Sequence, residues 1–330
     1  MPDWSAPTAS LMIRTVTGLP LFILLFSPAL ALEPIAFNAD ELVVQAVQGE
    51  IAPPAIRETI YRVHADGEVV LLPGTGSITY NFRTGDSAVR MAGNHVEPAV
   101  SLYSLGREGN RTGNDNRALN ALSMIGNPVR ILTGAAAGAE GWVVGKHGGV
   151  EHVMADFDPA IFDDLAIGDR MQIRTEGAGM RLTNIEGVRV FNASPRLIEA
   201  FNRSGAGITA DGKLRIGVTH RIPAKIMGSG LGRDHVYTGD YDIQMFDEEV
   251  NERYRLNELR FGDIVAIMDA DHSHGRIWLG GAVSIGVVSH GRSDSAGHGP
   301  GVTTLFTSRE GHIEPVIDAN ANLKQLLGIP

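Results

Sequence analysis

The sequence predicts an α+β protein that is mostly β, with an N-terminal β-barrel-like domain followed by a second α+β domain. Three observations support this fold class. Glycine is abundant, with 40 among 330 residues, and it separates short apolar runs as turns separate strands. A Gly-Asp pair recurs immediately before apolar segments. The few helical segments do not alternate with strands in a regular series, which argues against a doubly wound parallel sheet.

The strand-like segments are apolar runs next to turn residues. Residues 41–47 (ELVVQAV) and 68–72 (EVVLL) have the composition of strands. Each Gly-Asp pair predicts a turn in which glycine adopts a positive φ and aspartate caps the turn, leading into an apolar strand. The three pairs are Gly85-Asp86, Gly168-Asp169 and Gly262-Asp263.

Helices are predicted from apolar spacing and from caps. One segment has leucine and isoleucine at helical spacing, two begin with a capping residue followed by proline, and one follows an aspartate that is a favourable N-cap. The predicted helices are 116–125, 158–165, 194–201 and 248–254.

The N-terminus resembles a secretory signal peptide. An apolar run at 19–26 follows Arg14 and precedes the small residues Ala29 and Ala31, so we expect a leader over residues 1–31 and a periplasmic or secreted protein. The alternative is a buried N-terminal segment. The turn-rich stretch 202–213 predicts a boundary that divides the rest into a β-barrel-like domain, 32–205, and an α+β domain, 206–330. One continuous β-rich domain is the alternative.

Composition excludes several classes of function. The net charge is −10 and no run of Lys or Arg occurs, so we expect no nucleic-acid partner and no stable membrane anchor. There is no cysteine, which excludes disulfides, thiolate catalysis and Cys-ligated zinc. The expected partner is a small-molecule ligand or substrate, and a homo-oligomer is left open.

Histidines and acids in glycine-rich strings are the candidate site residues. His95 and Glu97 are two residues apart and would face the same side of an extended strand. The string KHGGVEH brings Lys146, His147 and His152 around a Gly-Gly turn. Imidazole and carboxylate together can ligate a divalent metal ion or act as an acid–base pair. Exposed polar hairpins are the alternative interpretation.

Two Asp-x-Asp strings occur, Asp240-Tyr241-Asp242 and Asp269-Ala270-Asp271, and such strings can hold a divalent cation. Asp269 and Asp271 are plausible ligands, of which we expect Asp271 to bind the metal, while surface turns are the alternative for both strings. The predicted metal ligands are His95, His147, His152 and Asp271.

The glycine loop at 228–232 (GSGLG) fails the dinucleotide and P-loop patterns but could offer backbone N–H groups to an anion. Its predicted anion-binding residues are Gly228, Ser229 and Gly230, together with Lys146. A strained turn is the favoured alternative. His220, His290 and His298 are candidates for a general acid–base because imidazole titrates near neutral pH, and Glu97 is a candidate base. The predicted catalytic residues are Glu97, His220 and His298.

Long motifs of this sequence resemble the family called domain of unknown function 4438. They are KHGGVEHV, IPAKIMGSGLG, GDYDIQ, RFGDIVAI, GHGPGVTTLF and EGHIEPVIDANAN. The resemblance runs from about residue 41 to residue 326 and implies a two-part fold with a β-barrel-like first part. A fainter similarity to the metal-dependent acetamidase/formamidase family is limited to HGG at 147–149 and a loose match at 269–272.

Three functions are compatible with these residues. The first is a metal-dependent hydrolase of amide or related bonds in a small molecule, which needs a divalent metal ion. The second is a non-catalytic binding protein for a small anionic ligand. The third is a structural role with scattered histidines. Convergence of the histidines in one cavity separates the first two functions from the third.

Overall fold

The computed structural model describes residues 32–56, 61–106, 109 and 113–330, so the leader predicted over residues 1–31 lies outside the described residues. The strands are β1 Gln45–Ile51, β2 Arg62–Val63, β3 Val69–Val70, β4 Ile78–Thr79, β5 Ala99–Tyr103, β6 Pro128–Ile131, β7 Glu140–His147, β8 His152–Phe157, β9 Arg170–Thr175, β10 Arg189–Val190, β11 Gly207–Ile208, β12 Leu214–Val218, β13 His220–Pro223, β14 Ile264–Asp271, β15 Ile277–His290, β16 Gly301–Ser308 and β17 Ile313–Ile317. The α-helices are α1 Asn114–Leu122, α2 Pro195–Arg203, α3 Glu248–Tyr254 and α4 Leu323–Leu327.

Antiparallel strands in the order β1-β9-β6-β7-β8-β5 close into a six-stranded barrel, because β5 also pairs with β1. The short strand β4 extends β5 at one side. Strand β9 shows why the chain forms this barrel. Its residues alternate between exposed and buried, which places Met171 and Ile173 in the core. The barrel that the sequence predicted for the N-terminal part is confirmed.

The second sheet has the order β10-β16-β15-β14-β13, and a three-stranded sheet has the order β11-β12-β17. Two apolar clusters form the core, one filling the barrel and reaching the second sheet, and the other packing around Tyr241 and Phe261. Strand β7 contacts the second sheet through Lys146, whose N–H donates to Oγ1 of Thr303 at 3.2 Å. The barrel and the second sheet therefore meet along β7.

The three Gly-Asp turns have one geometry. Gly85, Gly168 and Gly262 all adopt positive φ. Each following aspartate accepts, through Oδ2, a hydrogen bond of 2.8–2.9 Å from the backbone N–H three residues earlier. The last two turns lead into β9 and β14, as the sequence predicted. The first does not lead directly into a named strand, since β5 begins only at Ala99.

The helix predictions are confirmed with changes at their ends. Ser194 and Asp247 cap α2 and α3 with their side chains, and Asp158 caps residues Pro159–Asp164. That last segment forms a tighter 3₁₀-helix. The strand predicted at 41–47 lies further along the chain, at Gln45–Ile51, because Ala39–Glu41 forms a 3₁₀ turn, and the strand predicted at 68–72 is shorter, because only Val69–Val70 pairs.

Pairing crosses the domain boundary that the sequence predicted at 205/206. Strand β10 pairs with β16, and Glu33 forms a bridge with Ile208. Residues 32–330 form one compact unit. The boundary stays a prediction. Among the described residues no helix is both long and apolar enough to cross a membrane.

Candidate metal centre

Side chains from four separate segments converge where the β7–β8 hairpin meets the β15–β16 connection. The hairpin contributes a histidine at the end of β7, and the connection contributes histidines at its start and in its middle. An extended segment beside β16 contributes two aspartates, and the segment before β5 contributes one histidine. The six candidate ligands are His95, His147, Asp240, Asp242, His290 and His298.

The first group consists of His147, Asp240 and His290, whose ligand atoms all lie within 4.8 Å of one another. The two imidazole rings stack with centroids 4.1 Å apart. Nδ1 of His290 lies 3.0 Å from the carbonyl oxygen of Gly291, which can only accept, so Nδ1 carries the proton. Burial would lower the pKa of His290, but the facing Asp240 and Asp242 carboxylates raise it well above its usual value, so Nε2 carries a proton that a bound metal ion would displace.

The second group consists of His95, Asp242 and His298. Nδ1 of His298 lies 3.2 Å from Oδ2 of Asp242 and 3.1 Å from Nε2 of His95. The other carboxylate oxygen of Asp242 lies 3.6 Å from Nε2 of His290, so Asp242 joins the two groups. The two groups together form one continuous cluster.

His95 has φ of 55°, a conformation that residues other than glycine rarely adopt. The two-residue spacing of His95 and Glu97 predicts that both lie on one side of a strand. That expectation was wrong, because this segment precedes β5 and the left-handed residue breaks the alternation. His95 lies in the ligand cluster, whereas Glu97 lies behind it.

Glu97 orients the ligands from a fully buried position. Its carboxylate contacts Nδ1 of His147 and lies 2.9 Å from Nδ1 of His152, and it accepts hydrogen bonds from Ser101 and from the N–H of Gly76. Burial would raise the pKa of Glu97, but the charge of His152 and the hydrogen bond from His147 hold it well below its usual range. A carboxylate on Nδ1 leaves Nε2 of His147 free to ligate, as in metal sites whose histidines are fixed by a second layer.

The histidines and aspartates of the cluster favour a bound cation. Burial, followed by the neighbouring His290 and His147, lowers the pKa of His95, so its imidazole stays neutral. Burial would raise the pKa of Asp242, but its contacts with His290 and His298 lower it to about 2. Neutral imidazole and ionised carboxylate are the forms that bind metal ions, so His95 and Asp242 are ready to bind, whereas His290 has to release a proton first. Within the described chain, the ion pairs of Asp240 and Asp242 are all with histidines.

The space between the ligand atoms of the first group also fits a metal ion. Gly301 lies against the first group, where a Cβ would stand 2.1 Å from Nε2 of His290 and 2.2 Å from Oδ2 of Asp240. Ligands at about 2.1 Å from one ion lie roughly 3–4 Å apart, so small shifts of these side chains would let each group bind an ion. Mixed nitrogen and oxygen ligands suit Zn²⁺, Mn²⁺, Fe²⁺ or Ni²⁺.

The cluster lies in the wall of a cavity of about 260 Å³. All six candidate ligands line it, and three arginines line it as well. The arginines are Arg62, Arg233 and Arg276. A larger cavity of about 720 Å³ near residues 71–82 is mostly apolar and contains none of the candidate ligands.

Two of the four predicted metal ligands, His95 and His147, belong to the cluster. His152 contacts Glu97 instead and supports the cluster from behind. Asp271 belongs to neither group, because its carboxylate accepts from the N–H of Ser273 and pairs with Arg309 at 2.8 Å.

The predicted catalytic residues separate in the same way. His298 lies in the cluster and Glu97 lies behind it. His220 lies elsewhere, with Nε2 at 3.1 Å from the carbonyl oxygen of Arg255. Burial lowers the pKa of His220.

The predicted anion-binding residues are mostly engaged with the protein itself. Nζ of Lys146 donates to Asn192 and to the carbonyl of Tyr237, both at 2.7 Å, and burial lowers its pKa to about 7.

In the glycine loop, the N–H of Gly228 donates to the carbonyl of Asp242 and the N–H of Ser229 donates to that of Gly297. Those two N–H groups are therefore not free for an anion. Ser229 and Gly230 do line the cavity.

Asp240, Asp242 and His290 were not among the predicted metal ligands, and Arg276 was not among the predicted site residues. The aromatic residue inside Asp240-Tyr241-Asp242 was the available signal. Tyr241 is only 1% exposed and anchors the segment in the core, which turns both aspartates the other way.

Comparisons with known proteins identify the family. The chain matches the family models described as "Domain of unknown function (DUF4438), N-terminal" over residues 61–199 and "Domain of unknown function (DUF4438), C-terminal" over residues 205–327. A solved structure titled "Crystal structure of TM1086" is similar at 40% sequence identity, with a TM-score of 0.81, and the match covers 88% of this chain and 98% of that one. A search of the curated proteins found no match. The chain therefore belongs to the DUF4438 family.

Proposed function

We propose that this protein is a metal-dependent hydrolase that acts on an amide or related bond of a small molecule. The observation that carries the proposal is the convergence of four histidines and two aspartates from four chain segments in one cavity. The two groups of three ligands, joined by Asp242, suit a pair of divalent cations. A pair of cations is a common arrangement in hydrolases.

Each part of the cluster has a role in this proposal. A bound cation lowers the pKa of its water and polarises a carbonyl group. Hydrolysis then adds the water oxygen to the carbonyl carbon, breaks the C–N bond and gives the water's proton to the departing nitrogen. Glu97 acts as a positioning residue that fixes the tautomer of His147. His298, with its side chain 40% exposed, is the ligand at the open side of the cavity.

A second candidate is a metal-containing binding protein for a small anion, without turnover. One observation favours it. Of the acid–base residues that the sequence predicted, His220 lies elsewhere and Glu97 is engaged by two histidines. In this case the ligand binds and leaves unchanged.

Metal content and turnover of matched variants test the proposal. Purified protein is expected to contain one or two divalent ions per chain, measured by plasma mass spectrometry. Chelation is expected to abolish hydrolysis of a panel of small amides and esters, and Zn²⁺ or Mn²⁺ is expected to restore it. Asp240→Asn should lose metal, whereas Asp271→Asn, from the other Asp-x-Asp string, should keep it.

Two results decide against the hydrolase. Metal-free protein whose melting temperature is unchanged by chelation and by added Zn²⁺ or Mn²⁺ would contradict a metal centre. Metal-loaded protein that binds small anions but hydrolyses no member of the panel would favour the binding protein.

Export remains part of the proposal. If residues 1–31 are a leader, mature protein from the native host begins at Leu32, which N-terminal sequencing or intact mass can show. A chain in the cytoplasm that retains residues 1–31 would contradict export.

A further inference from the structure

Arg276 is a charged side chain in the interior beside the candidate metal centre. It is 1% exposed, and it lines the same cavity as the six ligands. Nε and Nη2 of Arg276 are buried and have no hydrogen-bond partner among the described residues. No carboxylate oxygen of the described residues lies within 4.0 Å of its guanidinium nitrogens.

The backbone fixes Arg276 against the glycine loop. Its N–H donates to the carbonyl of Arg233, and its carbonyl accepts from the N–H of Gly232 at 2.8 Å. Gly230, at φ of 94°, lies beside the guanidinium, since a Cβ there would be in van der Waals contact with Nη1 of Arg276 at 3.5 Å. The guanidinium lies near the face of Tyr241, with Cζ 5.9 Å from the ring centroid. Its position is therefore set by the fold.

A buried guanidinium needs an anion. Arginine does not lose its proton in proteins, so it remains charged even where burial disfavours the charge. An uncompensated buried charge is strongly destabilising. Asp240 and Asp242 offset part of it through space, but in the proposed centre those two carboxylates neutralise the metal ions. The charge of Arg276 is then left for a ligand.

We propose that Arg276 binds an anionic group of the substrate, a carboxylate or a phosphate, in the cavity beside the metal centre. This inference rests on the proposed function and names its substrate class. Nε–H and Nη2–H₂ lie on one edge of the guanidinium and match two oxygens of one anion. Arg62 and Arg233 line the same cavity and add positive charge around that anion. The substrate is therefore a small acid whose charged group is held near the bond that is hydrolysed at the metal centre.

Anion binding by the full, Zn²⁺-loaded and desalted protein tests the inference. The probes are inorganic phosphate and acetate, each titrated while the melting temperature and the heat of binding are measured. We expect at least one of them to bind. Arg276→Met is expected to weaken that binding by tenfold or more. The matched control is Arg309→Met, which removes an arginine that pairs with Asp271 outside the cavity.

Arg276→Met also has a readout that a purely structural arginine would not give. Without any anion, the variant should melt at the same temperature as the unchanged protein or higher, because it removes a buried charge. Arg276→Lys keeps the positive charge but lacks the two parallel N–H donors of the guanidinium, so this variant should bind the anion more weakly than the unchanged protein does. Retained Zn²⁺ content shows that each variant is folded.

The possible outcomes distinguish a phosphate from a carboxylate. They also distinguish failure of this inference from failure of the proposed function. Tighter phosphate binding assigns a phosphate, and tighter acetate binding assigns a carboxylate. Anion binding that is unchanged in Arg276→Met, or no binding of either probe to Zn²⁺-loaded protein, overturns the inference alone. Failure of the unchanged chain to bind Zn²⁺, measured first, overturns the proposed function instead.

Discussion

The segments Asp240-Tyr241-Asp242 and Asp269-Ala270-Asp271 have the same Asp-x-Asp pattern, but their carboxylates meet different partners. Asp240 and Asp242 both face histidines of the candidate metal centre. Asp269 accepts from the N–H of Gly281, and Asp271 pairs with Arg309. The pattern alone therefore does not identify a cation site.

Backbone geometry explains the difference. Tyr241 exchanges two backbone hydrogen bonds with Val302, and its buried ring keeps the segment extended, so the aspartates on either side share one direction. In the other string, the register of β14 against β15 shifts between Met268 and Ala270, and Asp269 has φ of 62°. Such a bulge re-aims side chains and breaks the alternation on which the pattern depends.

The largest expected effect comes from filling the space between His290 and Asp240. Gly301→Ala places a Cβ within about 2 Å of both ligand atoms, so the first group cannot close on a metal ion. We expect metal affinity to fall by roughly 100-fold or more, which titration calorimetry measures. The matched control is Gly280→Ala, beside the second string, where a Cβ meets nothing within 4 Å. Equal metal affinity in both variants would contradict the assignment.

Removing the charge of Glu97 should have the next effect. Glu97→Gln keeps the shape but weakens the contacts that fix His147 and His152. Loss of such a partner typically lowers metal affinity by about 10–100-fold. Asp271→Asn is the comparison in the second string and should leave metal affinity unchanged. If Glu97→Gln binds metal as tightly as the unchanged protein, Glu97 does not position the ligands.

His272, next to the second string, should affect only the pH dependence of stability. Burial lowers its pKa from 6.5 to about 3. Below about pH 6.5, His272 is therefore protonated in the unfolded chain but stays neutral in the folded chain. The free energy of unfolding consequently falls as the pH drops from about 6.5 towards 3. Between pH 6.5 and 5, His272→Gln should remove about 1.5 kcal/mol of this loss.

Urea unfolding of both proteins at the two pH values measures the effect of His272. His235→Gln is the control, because that side chain is 70% exposed. Parallel stability curves for His272→Gln and the unchanged protein would show that His272 is protonated in the folded state.

The smallest effect is expected from the ion pair of the second string. The Arg309 side chain is 51% exposed, so Arg309→Met should lower the free energy of unfolding by less than about 1 kcal/mol. Metal content should not change. A loss of metal in this variant would indicate that the cation binds at the second string and not at the first.

Features of the fold that depend on neighbouring residues could be predicted from the sequence. The candidate site was harder to predict, because its residues are far apart along the chain. The Gly-Asp turns at Gly168 and Gly262 and the cap at Ser194 depend on neighbouring residues, and the sequence predicted them. His95, His147 and His298 were chosen because each lies in a glycine-rich string. The choice between Asp240 and Asp271 depends on a bulge in β14 and on the core position of Tyr241, which no local pattern records. The buried position of Arg276 in the cavity wall likewise depends on contacts with the distant glycine loop.

Anomalous X-ray diffraction from crystals grown with Zn²⁺ or Mn²⁺ tests the central claim most directly. We predict anomalous peaks bounded by His147, Asp240 and His290 and by His95, Asp242 and His298, with no peak at Asp269 or Asp271. A metal-saturated crystal without a peak in this cluster, or with its peak at Asp271, would contradict the account.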